Sequence, residues 1–438
     1  MISSTRRLAR RNWVADASES RTDEICAALP CDSASIIATI EGLITRNTQI
    51  HDIDAVNLNP ATNTMSERAT SALRSNLSSR TSLGYPGAKY EMGLEAIEQI
   101  EVIAAELAAT VFNTDHAEIR VPSGTMANLY AFMATTKPGD SIIVPPSSIA
   151  GHVTHHSPGA AGLYGLDIHE APIDATNYTI DVEALAALAE RVQPRLITIG
   201  SSLNLTHHNV AGIREAADLN GARVLFDAAH LSGPIAGGHW PNPLDQGAHL
   251  LTMSTYKSLG GPSAGIVATN DAELAERVDR IAFPGLTANF DVGKTAALAV
   301  TLAEWLTDGP RRAQVMIECA QRLAAELFSR GVAVHHCGDI ATQSHAFALD
   351  ARQIGGGSAT ALHLRRANLL ASAIGLPSGA DDGVRIGTNE LARLGATADD
   401  MTGLADLIAQ ALASRTPEGL AFAVTRWRSN HLETAAPR

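Results

Sequence analysis

The chain has 438 residues, 45% of them hydrophobic, which is long enough for more than one domain with a large core. A formal net charge of −13 argues against a general nucleic-acid or anionic-membrane binder, because phosphate-rich partners need clustered Lys and Arg. No run approaches the roughly 18 apolar residues of a bilayer span, and four scattered cysteines (Cys26, Cys31, Cys319, Cys337) suit free thiols in a reducing cytoplasm better than a disulfide framework.

The basic run "TRRLARRNW", with Arg6, Arg7, Arg10 and Arg11, reads as a solvated terminus. No apolar stretch follows it, which speaks against a secretory or twin-arginine signal. Residues 1–45, with a helix near 33–46, are expected to form an N-terminal arm. From about residue 95 the pattern alternates. "EAIEQIEVIAAELAATVF" carries apolar residues at helical spacing, and "AEIRVP", "DSIIVPP", "RLITIGSS", "ARVLFDAAH", "HLLTMST" and "GPSAGIVATN" are short apolar runs with helix-like segments such as "DVEALAALAERV" and "GIREAADLNG" between several of them. Alternation of this kind predicts an α/β domain around a largely parallel, doubly covered sheet, here over 46–290. Beyond "FPGLTANFD" two long helices (291–307 and 310–330), the strands "GVAVHH", "SHAFALDA" and "GVRIGT", and helices near 358–367 and 397–414 predict a smaller α+β domain over 291–438.

Ligands of open α/β sheets sit beyond the carboxyl ends of the strands, and three candidate stretches fall there. "VPSGTMAN" places Ser123, Gly124 and Thr125 between a strand and a helix, where hydroxyls and free backbone N–H groups can hold a phosphate. It is not a P-loop, since the Gly-Lys-Ser/Thr ending is missing. "FDAAHLSG" places Asp227 and His230 after a strand, and "HLLTMSTYKSLGGPSAG" places Lys257 after the next. A lysine among buried and small residues needs compensation. An acid and a lysine at neighbouring strand ends fit a pyridoxal phosphate site, where the carboxylate keeps the pyridine nitrogen protonated and the lysine forms the Schiff base. The histidines of "HVTHH" and "LTHHN" lack a carboxylate or cysteine at metal-ligand spacing, so no metal is expected.

The blocks "GYPGAKY", "VPSGTMAN", "GHVTHHSP", "FDAAHLSGPIAGGHWPNP", "STYKSLGGPSAG", "AFPG" and "GVRIGT" occur in order over roughly residues 50–415, and the sequence resembles serine hydroxymethyltransferase in all seven. The resemblance implies a fold-type-I pyridoxal phosphate fold, with a large, mostly parallel seven-stranded sheet domain and a small α+β C-terminal domain. It also implies a homodimer with shared active sites. By the same resemblance Lys257 is the Schiff-base lysine, Asp227 the partner of the ring nitrogen, and His230 the nearby histidine. Ser123, Gly124 and Thr125 are the phosphate cradle, Ser202 lies near the phenolic oxygen, and Arg385 and Tyr90 contact the substrate.

The departures are equally informative. The family's Tyr-x-Glu ahead of Gly-Tyr-Pro-Gly becomes Thr81 and Leu83, and a leucine cannot move a proton. The family's Ser-Glu-Asn becomes "ATN", with Thr62 in place of the carboxylate; the second tyrosine after Gly-Tyr-Pro-Gly becomes Glu91. The histidine before the lysine becomes Tyr256, the arginine of Gly-Pro-Arg-Gly becomes Ser263, and the ring-stacking histidine falls on Ile149, with His152 as a substitute.

The expected activity is therefore making or breaking the Cα–Cβ bond of a small β-hydroxy amino acid without folate, as in aldolases or transaldolases acting on serine, threonine or α-methylserine. Glycine or alanine is the carbanion donor and an aldehyde the acceptor. Tyr256, His152 and His230 are the candidate proton carriers. Folate-dependent hydroxymethyl transfer is the alternative, followed by racemisation or transamination. A non-catalytic binding role is disfavoured, because Lys257, Asp227 and Arg385 are retained together.

Overall fold

The computed structural model describes residues 7–433. Backbone contacts divide the chain into two compact units, between Asp54 and Ala55. In the first, α1 (Asp16–Ala27) precedes α2 (Ser33–Thr48), which runs past residue 45 and into a further turn at Gln49–Asp54. Asp32 starts α2 by accepting a hydrogen bond from Ser35 N with its side chain. Two arginines of the basic run are paired: Arg10 meets Asp23 at 3.3 Å and Arg11 meets the buried Glu19 at 2.7 Å. Arg6 lies outside the described residues.

The second unit holds the central sheet. Its strands are β1 (His116–Val121), β2 (Ser141–Val144), β3 (Asp167–Glu170), β4 (Leu196–Ile199), β5 (Arg223–Asp227), β6 (Leu250–Ser254) and β7 (Gly265–Thr269), in the order β1-β7-β6-β5-β4-β2-β3. All run parallel except β7, which is antiparallel to both neighbours. β4, β6 and β7 are buried at every position, which is why they read as continuous apolar runs without alternation. One face packs Phe112, Ile143, Ile197, Phe226 and Leu251 into the main core, and the other packs Tyr130, Phe132, Ile142, Leu225 and Leu250. Each of these fully buried large side chains contributes about 1.5–3 kcal/mol. The sequence pattern had not marked β3, whose half-exposed residues carry no clear apolar run.

The C-terminal part contains a three-stranded antiparallel sheet of β8 (Ala346–Asp350), β9 (Ser372–Leu376) and β10 (Gly379–Gly387), with β10 central. The two helices expected over 291–330 are one helix, Val292–Ser329. Pro310 removes one N–H donor without ending it, and the neighbouring Gly309 packs closely on Gly237, where an added Cβ would lie 2.7 Å from the Gly309 carbonyl oxygen. "GVAVHH" makes only an isolated bridge, Val334 with Leu349, in place of a strand. The terminal stretch forms a helix, Ala421–His431, whose buried Trp427 belongs to the main core. No helix among the described residues is long and apolar enough to cross a membrane, and the four cysteines are free thiols.

Candidate active site

The cleft lies at the carboxyl ends of the central strands and is lined by Ser123, Gly124, Thr125, Asn128, His152, Ser201, Ser202, Asp227, His230, Tyr256 and Lys257 among others. After β1, Ser123 is extended and caps the 12-residue helix Gly124–Thr135, its hydroxyl accepting from Met126 N at 3.2 Å. The helix starts against β6 so closely that a Cβ on Gly124 would collide with Ser254 Oγ. Ser123, Gly124 and Thr125, at the start of this helix, line the cleft together, an arrangement suited to a phosphate.

Asp227 ends β5, and its Oδ1 accepts from Ala229 N at 2.9 Å, which tightens the turn leading to His230. Its Oδ2 takes hydrogen bonds from Asn128 Nδ2 at 2.8 Å and from His155 Nε2 at 3.0 Å. Burial by itself would raise the pKa of this carboxyl; the hydrogen bond and charge of His155 and the hydrogen bond of Asn128 outweigh it and hold the group well below the usual range. Asp227 is thus a buried anion over the whole physiological pH range.

Lys257 follows β6 in a turn closed by Gly261 N donating to Thr255 O at 2.8 Å. Asn63 Nδ2 holds the main chain at Lys257 O, 3.0 Å away. The amine is buried and lies 3.0 Å from His230 Nε2. Burial lowers its pKa to about 8, with Asp227 opposing the shift and Arg385 adding to it. His230 is pushed well below its ordinary value by burial and by the charges of Lys257 and Arg385. Arg385 Nη1, which can only donate, also faces His230 Nε2 at 3.3 Å, so this nitrogen is an acceptor. The other ring nitrogen, Nδ1, is buried without a hydrogen-bond partner.

Arg385 comes from near the C-terminal end of β10, opposite Ser372 of β9. Its guanidinium is buried and donates to Ser202 O at 2.5 Å and to Ser372 Oγ at 3.1 Å, with Asn59 Oδ1 at 3.5 Å. The backbone of the Ser201–Ser202 loop, which follows β4, thereby fixes the arginine beside the cleft.

Nearly every expected site residue is brought together here: Ser123, Gly124, Thr125, His152, Ser202, Asp227, His230, Tyr256 and Lys257 line one cleft, and Arg385 touches it through Ser202 and His230. Tyr90 is not brought to the cleft of its own chain. It is 77% exposed, because the preceding Lys89 points inward to a buried ion pair with Glu101 and successive side chains of an extended segment face opposite ways. Sequence reasoning missed Asn63, Asn128 and His155. Asn128 was legible in part, since it lies four residues after Gly124 and so on the same helix face. Among the described residues no cluster of three or more His, Cys, Asp or Glu could hold a metal ion.

A buried amine of lowered pKa, an ionised carboxylate across from it, a helix-start phosphate cradle and an unpartnered imidazole nitrogen fit pyridoxal phosphate group by group. The architecture and side-chain set are those of a fold-type-I pyridoxal phosphate enzyme. A family model described as serine hydroxymethyltransferase matches residues 36–408, and the chain belongs to that family. It is 56% identical to an α-methylserine aldolase of Variovorax paradoxus over 433 residues, 97% of each chain. It is 50% identical to an α-methylserine aldolase of a Ralstonia species, over 88% of this chain and 89% of that one. Against the serine hydroxymethyltransferase of Methanopyrus kandleri the identity is 39% over 76% and 79%.

Proposed function

We propose that the protein is a pyridoxal phosphate-dependent aldolase that cleaves α-methylserine to alanine and formaldehyde, and the reverse, without folate. The observation that carries the reading is the buried Lys257–His230–Arg385 cluster facing an ionised Asp227 in one cleft. The similarity to α-methylserine aldolases supports the choice of substrate. When bound, pyridoxal phosphate supplies an electron sink for the pair left on Cα as a bond to it breaks.

This chain's own residues select which bond that is. Lys257 offers the amine that holds the cofactor, Asp227 the negative charge at the ring nitrogen, and Ser123, Gly124 and Thr125 the phosphate donors. Ser202 is assigned to the phenolic oxygen. Arg385 grips the substrate carboxylate with its planar, two-pronged donor set and disfavours its loss as carbon dioxide. Cα of α-methylserine bears no hydrogen, so proton abstraction there is closed and the Cα–CH2OH bond remains. Breaking it needs the hydroxyl proton removed, a task for His230 Nε2 or Tyr256. In this reading Tyr90 meets substrate in the cleft of a second subunit, as a homodimer with shared sites allows, and the enzyme works in the cytoplasm.

Thr62 and Leu83 stand where the family has carboxylates, which supports independence from folate. One observation favours the second reading, a folate-dependent hydroxymethyltransferase: the carboxylate of Glu91 accepts from Leu83 N at 3.3 Å and from Thr81 Oγ1 at 3.1 Å, returning an acid to that position. The deciding experiment assays formaldehyde released from α-methylserine, serine and threonine with and without tetrahydrofolate. Release from α-methylserine without folate is the expected result; release only when folate is added would sink the aldolase reading and point to Glu91.

Arg385→Lys is expected to lower kcat/KM for α-methylserine about 10- to 100-fold, chiefly through KM, because a single ammonium cannot reproduce the fork. Steady-state kinetics check this. An unchanged KM would remove Arg385 from substrate binding.

A further inference from the structure

We propose that the backbone N–H and the hydroxyl of Thr154, the latter held by Asn128 and Asp227, fix His152 as its Nε2–H tautomer, so that His152 donates a hydrogen bond into the cleft and does not act as a base there. The role of that donated bond rests on the functional reading above; the tautomer does not.

The directions follow from the two groups that have no choice, the Asp227 carboxylate and the Thr154 backbone N–H. An ionised carboxylate can only accept, so the Asn128 atom 2.8 Å from Asp227 Oδ2 is the amide nitrogen. Asn128 Oδ1 then accepts from Thr252 Oγ1 at 2.6 Å, and the second Asn128 N–H goes to Thr154 Oγ1 at 3.0 Å. The Thr154 hydroxyl, which accepts from Asn128, lies 2.9 Å from His152 Nδ1 and donates its proton there because that nitrogen is already an acceptor for the Thr154 backbone. The backbone N–H of Thr154, which also can only donate, points to the same nitrogen at 3.3 Å. Two donors converge on Nδ1, so the proton of the neutral ring sits on Nε2. Burial lowers the pKa of His152 to about 4, partly opposed by Asp227, which keeps the ring neutral near pH 7.

His152 lines the cleft, with Nδ1 turned to the loop and Nε2 the edge left for a ligand. An Nε2–H there suits an oxygen that gains negative charge or must be held, such as the oxygen of the departing or entering aldehyde. Proton removal from the substrate hydroxyl then belongs to His230 or Tyr256. Asn128 and Thr154 are positioning residues, since they reach the cleft chemistry only through His152.

The test is nitrogen NMR of the holoenzyme labelled with 15N-histidine. The chain has 16 histidines, and His152 is assigned by ring correlations checked against His152→Gln. The expected result is a pyrrole-type Nε2 and a pyridine-type, hydrogen-bonded Nδ1; a protonated Nδ1 overturns the proposal. Thr154→Val should shift the Nδ1 resonance and lower kcat about 10-fold with KM unchanged, as loss of one buried hydrogen bond does, and Thr154→Ser should restore both. An Nδ1 resonance indifferent to Thr154→Val also overturns it. The cofactor's absorbance, recorded on the same sample, separates the two readings. A cofactor-loaded enzyme with Nδ1 protonated refutes the tautomer alone, whereas a protein that never takes up cofactor refutes the functional reading while the tautomer is still read.

Discussion

Lys257→Ala is expected to yield a folded protein that releases no aldehyde above background and to which borohydride no longer fixes pyridoxal phosphate. The loss in kcat should reach roughly 10³-fold or more, because this side chain supplies the covalent anchor that places the cofactor over the substrate. The fold should survive. Asp227 keeps His155 and Asn128 as partners, so removing the amine leaves no buried anion unpaired. His230 Nε2 keeps Arg385 at 3.3 Å. Circular dichroism and the absorbance of the reconstituted variant, before and after borohydride, check the prediction. Cofactor still fixed to the chain after reduction would move the anchor to another lysine.

Asp227→Asn should retain the borohydride-fixed cofactor but lose turnover on the order of 10³-fold, about 4 kcal/mol of barrier. The side chain keeps its shape and loses its charge, so binding through Lys257 and the phosphate cradle persists while the ring nitrogen no longer faces a fixed anion. The position of Asp227 makes this a clean probe. The carboxylate is held ionised by His155 and Asn128 against the opposing effect of burial, so lowering the pH to about 5 should not mimic the substitution in the native enzyme. Comparing kcat of the native enzyme at pH 5 and pH 8 with that of the variant measures this. Turnover of the variant within a few-fold of native would mean that the anion is structural and that electron withdrawal comes from elsewhere in the cleft.

Much of the site was legible in the sequence, for a local reason. In a parallel sheet the chemistry gathers at strand ends, and a strand end is marked within a few residues by an apolar run stopping at a small or polar residue. "FDAAH" and "STYKS" carry that mark, and the order of strands and helices between them fixes the α/β class. The cradle at Ser123 to Thr125 was visible for the same reason, whereas the losses at Thr62 and Leu83 were legible only against the motifs of the family the chain resembles.

The tertiary structure alone decided how those pieces meet. Asn128 reaches Asp227 across 99 residues of sequence and Arg385 reaches Ser202 across 183; the first contact depends on the order of strands in the central sheet and the second on how the C-terminal sheet is placed. Periodicity specifies which face of an element is buried, not which element it is buried against. The same limit explains the single helix through Pro310, whose continuity rests on packing that outweighs one lost hydrogen bond, and the outward turn of Tyr90, which the buried pair Lys89–Glu101 sets. The sequence marked a lysine and an acid at neighbouring strand ends, and its resemblance to serine hydroxymethyltransferase added a histidine and an arginine to the same expected site. Packing alone decided that Asp227 is a buried anion, that Lys257 is a weakened base and that His152 presents a proton, because charge state and tautomer are set by neighbours brought close only when the chain folds.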